Sequence, residues 1–282
     1  MRYIEVIITL SQTEPARDIL VDALGNEGPY DSFMETPDGL KAYVPETDFD
    51  EAWLKDQLAE IASFATASYT FEAMPDKNWN EEWEKQHKPV LVEADNGSRI
   101  WVRAPFHEHR TDVDYEIEIE PKMSFGTAHH QTTYMMLSYL AELPLQGLSV
   151  LDMGCGTAVL AILAKMRGAA KVEAIDIDEW AYENALENAQ RNNVELDIHI
   201  GDASLLTPDK RFDLIIANIN RNILLNDMAA YAAVLNLGGT LLLSGFYESD
   251  VPVLVEHAQT LGLVLEQKKS RQTWCAIRLI KH

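Results

Sequence analysis

The 282-residue chain carries 23 Lys and Arg against 45 Asp and Glu, a formal net charge of −22. That excess argues against free nucleic acid as a direct partner, since phosphate binding relies on clustered cations; it suits solubility, and attracts basic proteins or cationic small molecules. No apolar run reaches the ~18 residues that would cross a bilayer.

The opening stretch MRYIEVIITLSQTEP carries Glu5 inside its apolar part and has no small-residue cleavage site, so it reads as a strand, not a signal peptide. Cys155 and Cys275, without a Cys-x-x-Cys, fit a reducing, cytoplasmic location. Length allows one large domain or two of ordinary size.

Residues 1–74 read as β-α-β-β-α-β, a small ferredoxin-like α+β domain. A strand over Tyr3 to Leu10 precedes a helix over Glu14 to Leu24, with Pro15 in its first turn and Gly25 as its stop. Pro37-Asp38-Gly39 turns a hairpin, Phe49 to Ile61 repeats apolar residues at helical spacing, and Ser68 to Ala73 closes the set. Nothing there looks catalytic, which points to a docking module. Residues 75–90 mix Trp79 and Trp83 with dense charge and read as a linker helix.

Residues 91–282 form the second domain. Leu91 to Val102 is a hairpin across Asp95-Asn96-Gly97, and Tyr115 to Glu120 a further strand. His107, His109 and the His129-His130 pair lack further ligands at matching spacing, so no metal site is expected. Gln131, Thr132 and Thr133 open a helix whose free N–H groups and hydroxyls can cap it or meet a ligand. Beyond it, strands alternate with helices to Leu261, and two strands with a short loop close the chain as an antiparallel hairpin. That order implies an α/β, Rossmann-like doubly wound sheet that binds ligands at the strands' carboxyl ends.

VLDMGCGTAVLA, Val150 to Ala161, is strand, glycine turn and helix, bringing backbone close to a ligand. The third glycine of a dinucleotide fingerprint is replaced by Val159, and Asp152 precedes Gly154 by two residues. A pyrophosphate beside that carboxylate is repelled by roughly several kcal/mol in a partly dry cleft. S-adenosylmethionine, with its ammonium and sulfonium, fits better. Asp176, 22 residues after Gly154, can accept both ribose hydroxyls. The competing reading is an ordinary turn with strand-end carboxylates. Cys155 fills a small-residue position and is not expected to be a nucleophile.

FGTAHHQTT, VLDMGCGTAVLAI, AIDID, IIANIN, LLLSGF, TWCAI and the segment NWNEEWEKQHKP resemble the ribosomal protein L-eleven methyltransferases. The resemblance is strong from Trp79 onward; in the first domain only the element order matches. It implies an S-adenosylmethionine-dependent enzyme that methylates lysine side chains and the N-terminal amine of large-subunit ribosomal protein eleven, with an N-terminal substrate-recognition domain. By position it implies Thr133, Gly154, Asp176 and Asn218 as cofactor-binding residues; the general architecture adds Gly156 and Asp202. An Asn at such a strand end also holds the accepting nitrogen in many amine methyltransferases, giving Asn218 a catalytic role as well. Ala128 and Ala158 stand where the family usually has glycine, harmless at φ below zero and costly above it. Asn220 replaces an apolar residue.

Asp202 and His129 are the candidates for a base that takes the lysine proton. The chain is expected to be a monomer. Another methyl acceptor, or a non-catalytic cofactor-binding module, are the alternatives.

Overall fold

A computed structural model describes residues 3–13, 15–73, 88–120 and 126–282. The chain divides into two compact units, Met1–Trp83 and Glu84–His282. The expected linker helix, with Trp79 and Trp83, falls mostly on residues 74–87 and so outside the described residues.

The first unit holds β1 (Tyr3–Leu10), α1 (Ala16–Asp22), β2 (Ser32–Thr36), β3 (Gly39–Pro45), α2 (Glu51–Glu60) and β4 (Ala67–Ala73). Alternate residues of β1, Ile4, Val6, Ile8 and Leu10, are buried, as a strand with one covered face requires. The sheet order β2-β3-β1-β4 is antiparallel throughout and ferredoxin-like. Asp50 starts α2 by accepting the Ala52 and Trp53 amides at 2.8 and 3.1 Å. Gly25 does not stop the first helix. The chain widens into a π-helical turn over Ala23–Glu27 and becomes extended at Gly28, where a Cβ would lie 2.2 Å from the Trp53 ring.

The second unit begins with a three-stranded sheet: β5 (Val90–Glu93), β6 (Arg99–Arg103) and β7 (Tyr115–Glu118). Val90, placed in the linker by the sequence reading, already pairs with Val102. Then come α3 (Gln131–Glu142), β8 (Ser149–Met153), α4 (Val159–Met166), β9 (Lys171–Asp176), α5 (Glu179–Arg191), β10 (Asp197–Ile200), β11 (Phe212–Asn218), α6 (Arg221–Val234), β12 (Leu235–Tyr247), α7 (Val251–Thr260), β13 (Leu263–Arg271) and β14 (Trp274–Lys281). They build a seven-stranded sheet, β10-β9-β8-β11-β12-β14-β13. Neighbours from β10 to β12 are parallel, and β14 inserts antiparallel between β12 and β13.

One face of this sheet is packed by α3 and α4 with buried Met136, Leu140, Ile162 and Leu163; the other by α6 and α7 with Leu224, Met228, Tyr231 and Leu254. Only a short 3₁₀ turn, Ala203–Leu205, joins β10 towards β11. The missing helix leaves space on the second face beside α6.

Asn188 on α5 and Asn192, the residue that caps its end, lie one turn apart and act as a polar ladder against the chain leaving β7. Asn192 accepts the Glu118 amide at 2.9 Å and donates to its carbonyl at 2.7 Å; Asn188 accepts the Glu120 amide at 2.9 Å. Asn188 also donates to the Thr157 carbonyl at 3.1 Å, tying this ladder to the glycine turn.

Candidate active site

The glycine turn follows β8. The Gly154 and Cys155 amides donate to the Ile175 carbonyl at 2.8 and 3.1 Å, and the Gly156 amide to Asp176 Oδ2 at 2.8 Å. Gly154 has φ 68°, and a Cβ there would lie 2.3 Å from Ile219 Cγ2, so backbone conformation and space both demand glycine. Thr157 closes the turn against the preceding loop by donating to the Gly126 carbonyl at 2.8 Å. Ser124 and Phe125 of that loop lie outside the described residues. Ala158 and Ala128 have φ of 61° and 66°, so both alanines occupy the costly left-handed backbone.

A cavity of about 680 Å³ opens at the carboxyl ends of β8, β9, β10 and β11 and runs along α6. Gly154, Gly156, Asp176, Asp202 and Asn218 all line it. Thr133 does not: it is buried and its Oγ1 accepts from Asn218 Nδ2 at 3.4 Å. That bond turns Asn218 Oδ1 the other way, where it is buried without a hydrogen-bond partner among the described residues. An unmatched buried acceptor beside a cavity is the mark of a position awaiting a donor.

Four aspartates line the cavity, Asp176, Asp178, Asp202 and Asp227, and its described lining residues include no Lys, Arg or His. Among these described residues a diphosphate has no cation to meet, while a cationic ligand gains from every charged group among them. The carboxylate of Asp176 is fixed from two sides, accepting the Gly156 amide with one oxygen and the Asp178 amide with the other at 3.0 Å. The mouth is apolar, with Ile177 and Trp180 about three-quarters exposed.

Several sequence expectations need correction. Asp152 does not meet the ligand. It is fully buried beneath the glycine turn, accepts the Ala161 amide at 3.1 Å, and is absent from the cavity lining. Burial is the main force that raises its pKa to about 7, with Asp176 adding to it. The electrostatic preference against phosphate therefore comes from the lining aspartates.

Asp202 is a poor base: its carboxylate accepts the Ser204 amide at 2.8 Å and is held below the usual range by its bonds to Ser204. His129 has both ring nitrogens engaged, with the Lys88 carbonyl at 2.6 Å and Thr127 Oγ1 at 3.0 Å, and lies off the cavity. His130, not Thr132 or Thr133, caps α3 through the Thr132 amide, and Trp274 of the TWCAI segment packs its ring edge-on, 4.6 Å between centroids. Asn220 is explained as the cap of α6, accepting the Ile223 amide at 3.1 Å. Burial pushes the Cys155 thiol well above its ordinary value, which removes it as a nucleophile.

Among the described residues, Glu173, Asp197 and His199 come close enough together to ligate an ion. Lys171 Nζ, 3.6 Å from Glu173, and Lys210 already supply the cations there.

The sequence reading missed Asp227 and Tyr231, which line the far end of the cavity from α6. Their spacing of four, one helical face, was the only available signal.

Residues 6–282 match the family model described as ribosomal protein L11 methyltransferase (PrmA). A protein of that name in Porphyromonas gingivalis is 49% identical over 272 residues, 94% of this chain and 91% of that one. Another in Phocaeicola vulgatus is 44% identical over 283 residues, 99% of each chain. The crystal structure of a ribosomal protein L11 methylase from Lactobacillus delbrueckii subsp. bulgaricus superposes with a TM-score of 0.60 at 28% identity, covering 68% of this chain and 99% of that one. With the family model matched over residues 6–282 and relatives 49% and 44% identical over nearly the whole chain, the chain belongs to the ribosomal protein L11 methyltransferase family.

Proposed function

We propose that this protein transfers methyl groups from S-adenosylmethionine to amino groups, lysine side chains and the N-terminal amine, of ribosomal protein L11. The observation that carries the reading is the acidic cavity, without Lys, Arg or His among its described lining residues, with the unmatched, buried Asn218 Oδ1 beside it. An acceptor with no hydrogen to give suits an amine, which brings its own N–H donors.

S-adenosylmethionine fits the residues present. Gly154 and Gly156 leave the backbone bare for close approach, Asp176 accepts ribose hydroxyls, and Asp202 lies at the neighbouring strand end as a further acceptor. The cofactor supplies a methyl on a sulfonium; an unprotonated amine displaces the thioether, and one proton is released. Asn218 holds the amine nitrogen by Oδ1, and Thr133 holds Asn218. Alignment of this kind can lower a barrier by roughly 7–11 kcal/mol. With Asp202 and His129 unsuited as bases, the lysine proton leaves to water before the amine enters.

Residues 1–74 serve as the substrate-recognition domain, and the acidic chain attracts a basic ribosomal protein rather than nucleic acid. The described helices include none long and apolar enough to cross a membrane; we place the protein in the cytoplasm, acting as a monomer. Purified protein, S-adenosylmethionine carrying a labelled methyl and purified L11 test the reading. Mass spectrometry should find label on L11 amines and none when Asn218→Ala is used; label on no L11 amine overturns it.

A further inference from the structure

Between Gly154 and Ala158 the backbone enters the left-handed region three times, at Gly154, Gly156 and Ala158, with φ of 68°, 54° and 61°. Backbone of that kind persists only where its surroundings fix it. β9 supplies one hold, through the Ile175 carbonyl and Asp176. α5 supplies another: Asn188, fully buried, donates from Nδ2 to the Thr157 carbonyl at 3.1 Å. That carbonyl belongs to the peptide that leads into Ala158, the one non-glycine residue of the three, so the bond fixes the plane of that peptide.

Asn188 holds a second chain as well. Its Oδ1 accepts the Glu120 amide at 2.9 Å, and Asn184, one turn earlier on α5 and also fully buried, donates to the Glu120 carbonyl at 3.3 Å. Thr157, fully buried too, passes the tie onward through its bond to the Gly126 carbonyl, an approach so close that a Cβ on Gly126 would lie 2.5 Å from Thr157 Oγ1. One buried amide thus joins the chain leaving β7, the glycine turn and the loop before α3. An apolar side chain would pack α5 against its neighbours equally well; a buried amide repays its desolvation only through the bonds it makes. Asn188 is not part of the cavity lining, whereas Gly154 and Gly156 are.

We propose that Asn188 is a positioning residue for the cofactor: by holding the Thr157 peptide it keeps Gly154 and Gly156 in the backbone form that receives the ligand, and so sets cofactor affinity without touching the cofactor. Asn192 supplies the comparison. It lies one turn on at the end of the same helix and binds both backbone groups of Glu118, but its bonds reach Glu118 and Asn188 and not the glycine turn. If both asparagines only dock α5 against β7, their loss has equal consequences. If Asn188 positions the turn, the consequences differ.

This inference rests on the S-adenosylmethionine reading, and calorimetry with S-adenosylhomocysteine separates the two. Asn188→Ala should bind that compound about tenfold more weakly than the unaltered protein, the scale of one lost hydrogen bond, and Asn192→Ala should stay within about twofold. In assays with L11, Asn188→Ala should raise KM for S-adenosylmethionine by a similar factor, with kcat at saturating cofactor and KM for L11 each within about twofold of the unaltered protein. Urea unfolding shows whether each variant is folded under assay conditions. Asn188→Ser, too short to span both partners, should give the same loss if the alanine variant fails to fold.

Equal losses of affinity in Asn188→Ala and Asn192→Ala overturn the proposal, as does unchanged affinity in a folded Asn188 variant. So does failure of both Asn188 variants to fold while Asn192→Ala folds, which would make the amide a structural group alone. No binding of S-adenosylhomocysteine by the unaltered protein overturns the cofactor reading itself, and this inference with it.

Discussion

The ends of β8 and β9 lie side by side, and each carries an aspartate that looks equally placed in the sequence. Register separates them. Asp152 pairs across to Ala174, so β8 runs on through Met153 before it turns, while Asp176 is the last residue of β9. Two residues of difference put one carboxylate beneath the glycine turn and the other in the cavity wall. A side chain beneath such a turn sets its shape and charge state; one in the wall meets the ligand. Thr133 and Asn218 repeat the contrast, the first buried and the second facing the cavity.

The largest expected effect comes from the buried member. Asp152 has a folded pKa of about 7, against roughly 4 in an unfolded chain. Below pH 4 both states are protonated and nothing is lost. Between pH 4 and 7 the folded chain keeps a proton that the unfolded chain has released, so stability falls as pH rises. Above pH 7 the whole penalty applies, about 4 kcal/mol. Asp152→Asn cannot ionise and still accepts the Ala161 amide, so it should remove that slope. Urea unfolding at pH 5 and pH 8 measures it; identical slopes in the two proteins would mean that Asp152 titrates like an exposed carboxylate.

Next in size is ligand affinity. Asp176→Ala should weaken S-adenosylhomocysteine binding about 100-fold, close to 2.7 kcal/mol, since it removes the proposed ribose acceptor and frees the Gly156 and Asp178 amides. Asp152→Asn should change it by less than about threefold. Equal losses in calorimetry would erase the distinction between wall and support.

A smaller effect separates Thr133 from Asn218. Thr133→Val keeps the volume and removes the oxygen that orients the Asn218 amide. We expect kcat to fall about tenfold with S-adenosylhomocysteine affinity nearly unchanged, and Thr133→Ser to restore the rate, in keeping with the general cost of misalignment. A weakened affinity at unchanged kcat would make Thr133 a direct cofactor contact.

These contrasts also mark how far the sequence is legible. Alternating strands and helices, the Asn96-Gly97 hairpin and the turn or strand-end positions of Gly154, Asp176 and Asn218 follow from local pattern, because turn chemistry and apolar period act over a few residues, while the role of Asn218 comes from the family resemblance. The burial of Asp152 depends on register with β9, a long-range pairing that no local window contains. The α5 asparagines at 188 and 192 look like surface residues until β7 supplies the edge that they bind. The insertion of β14 beside β12 is likewise invisible to a pattern that sees only a hairpin. Asp227 escaped because an acidic residue in an amphipathic helix ordinarily reads as solvated, and only the short turn Ala203–Leu205 opens a cavity beside it.

The smallest expected effect lies inside the turn itself. Ala158, at φ 61°, caps α4 without any side-chain hydrogen bond, directly after Gly156 and Thr157. A left-handed alanine costs about 1–2 kcal/mol relative to the right-handed backbone, and glycine removes that cost. Glycine also gives the unfolded chain more freedom, which returns about 0.4–1 kcal/mol of the gain. Ala158→Gly should therefore stabilise the protein by up to about 1.6 kcal/mol, and Ala128→Gly, at φ 66°, by a similar amount. Urea midpoints at constant m-value measure both. Ala158 and Ala128 are both buried, so glycine also removes a packed methyl at each; a net destabilisation at either position would mean that its methyl contributes more than the strained backbone costs.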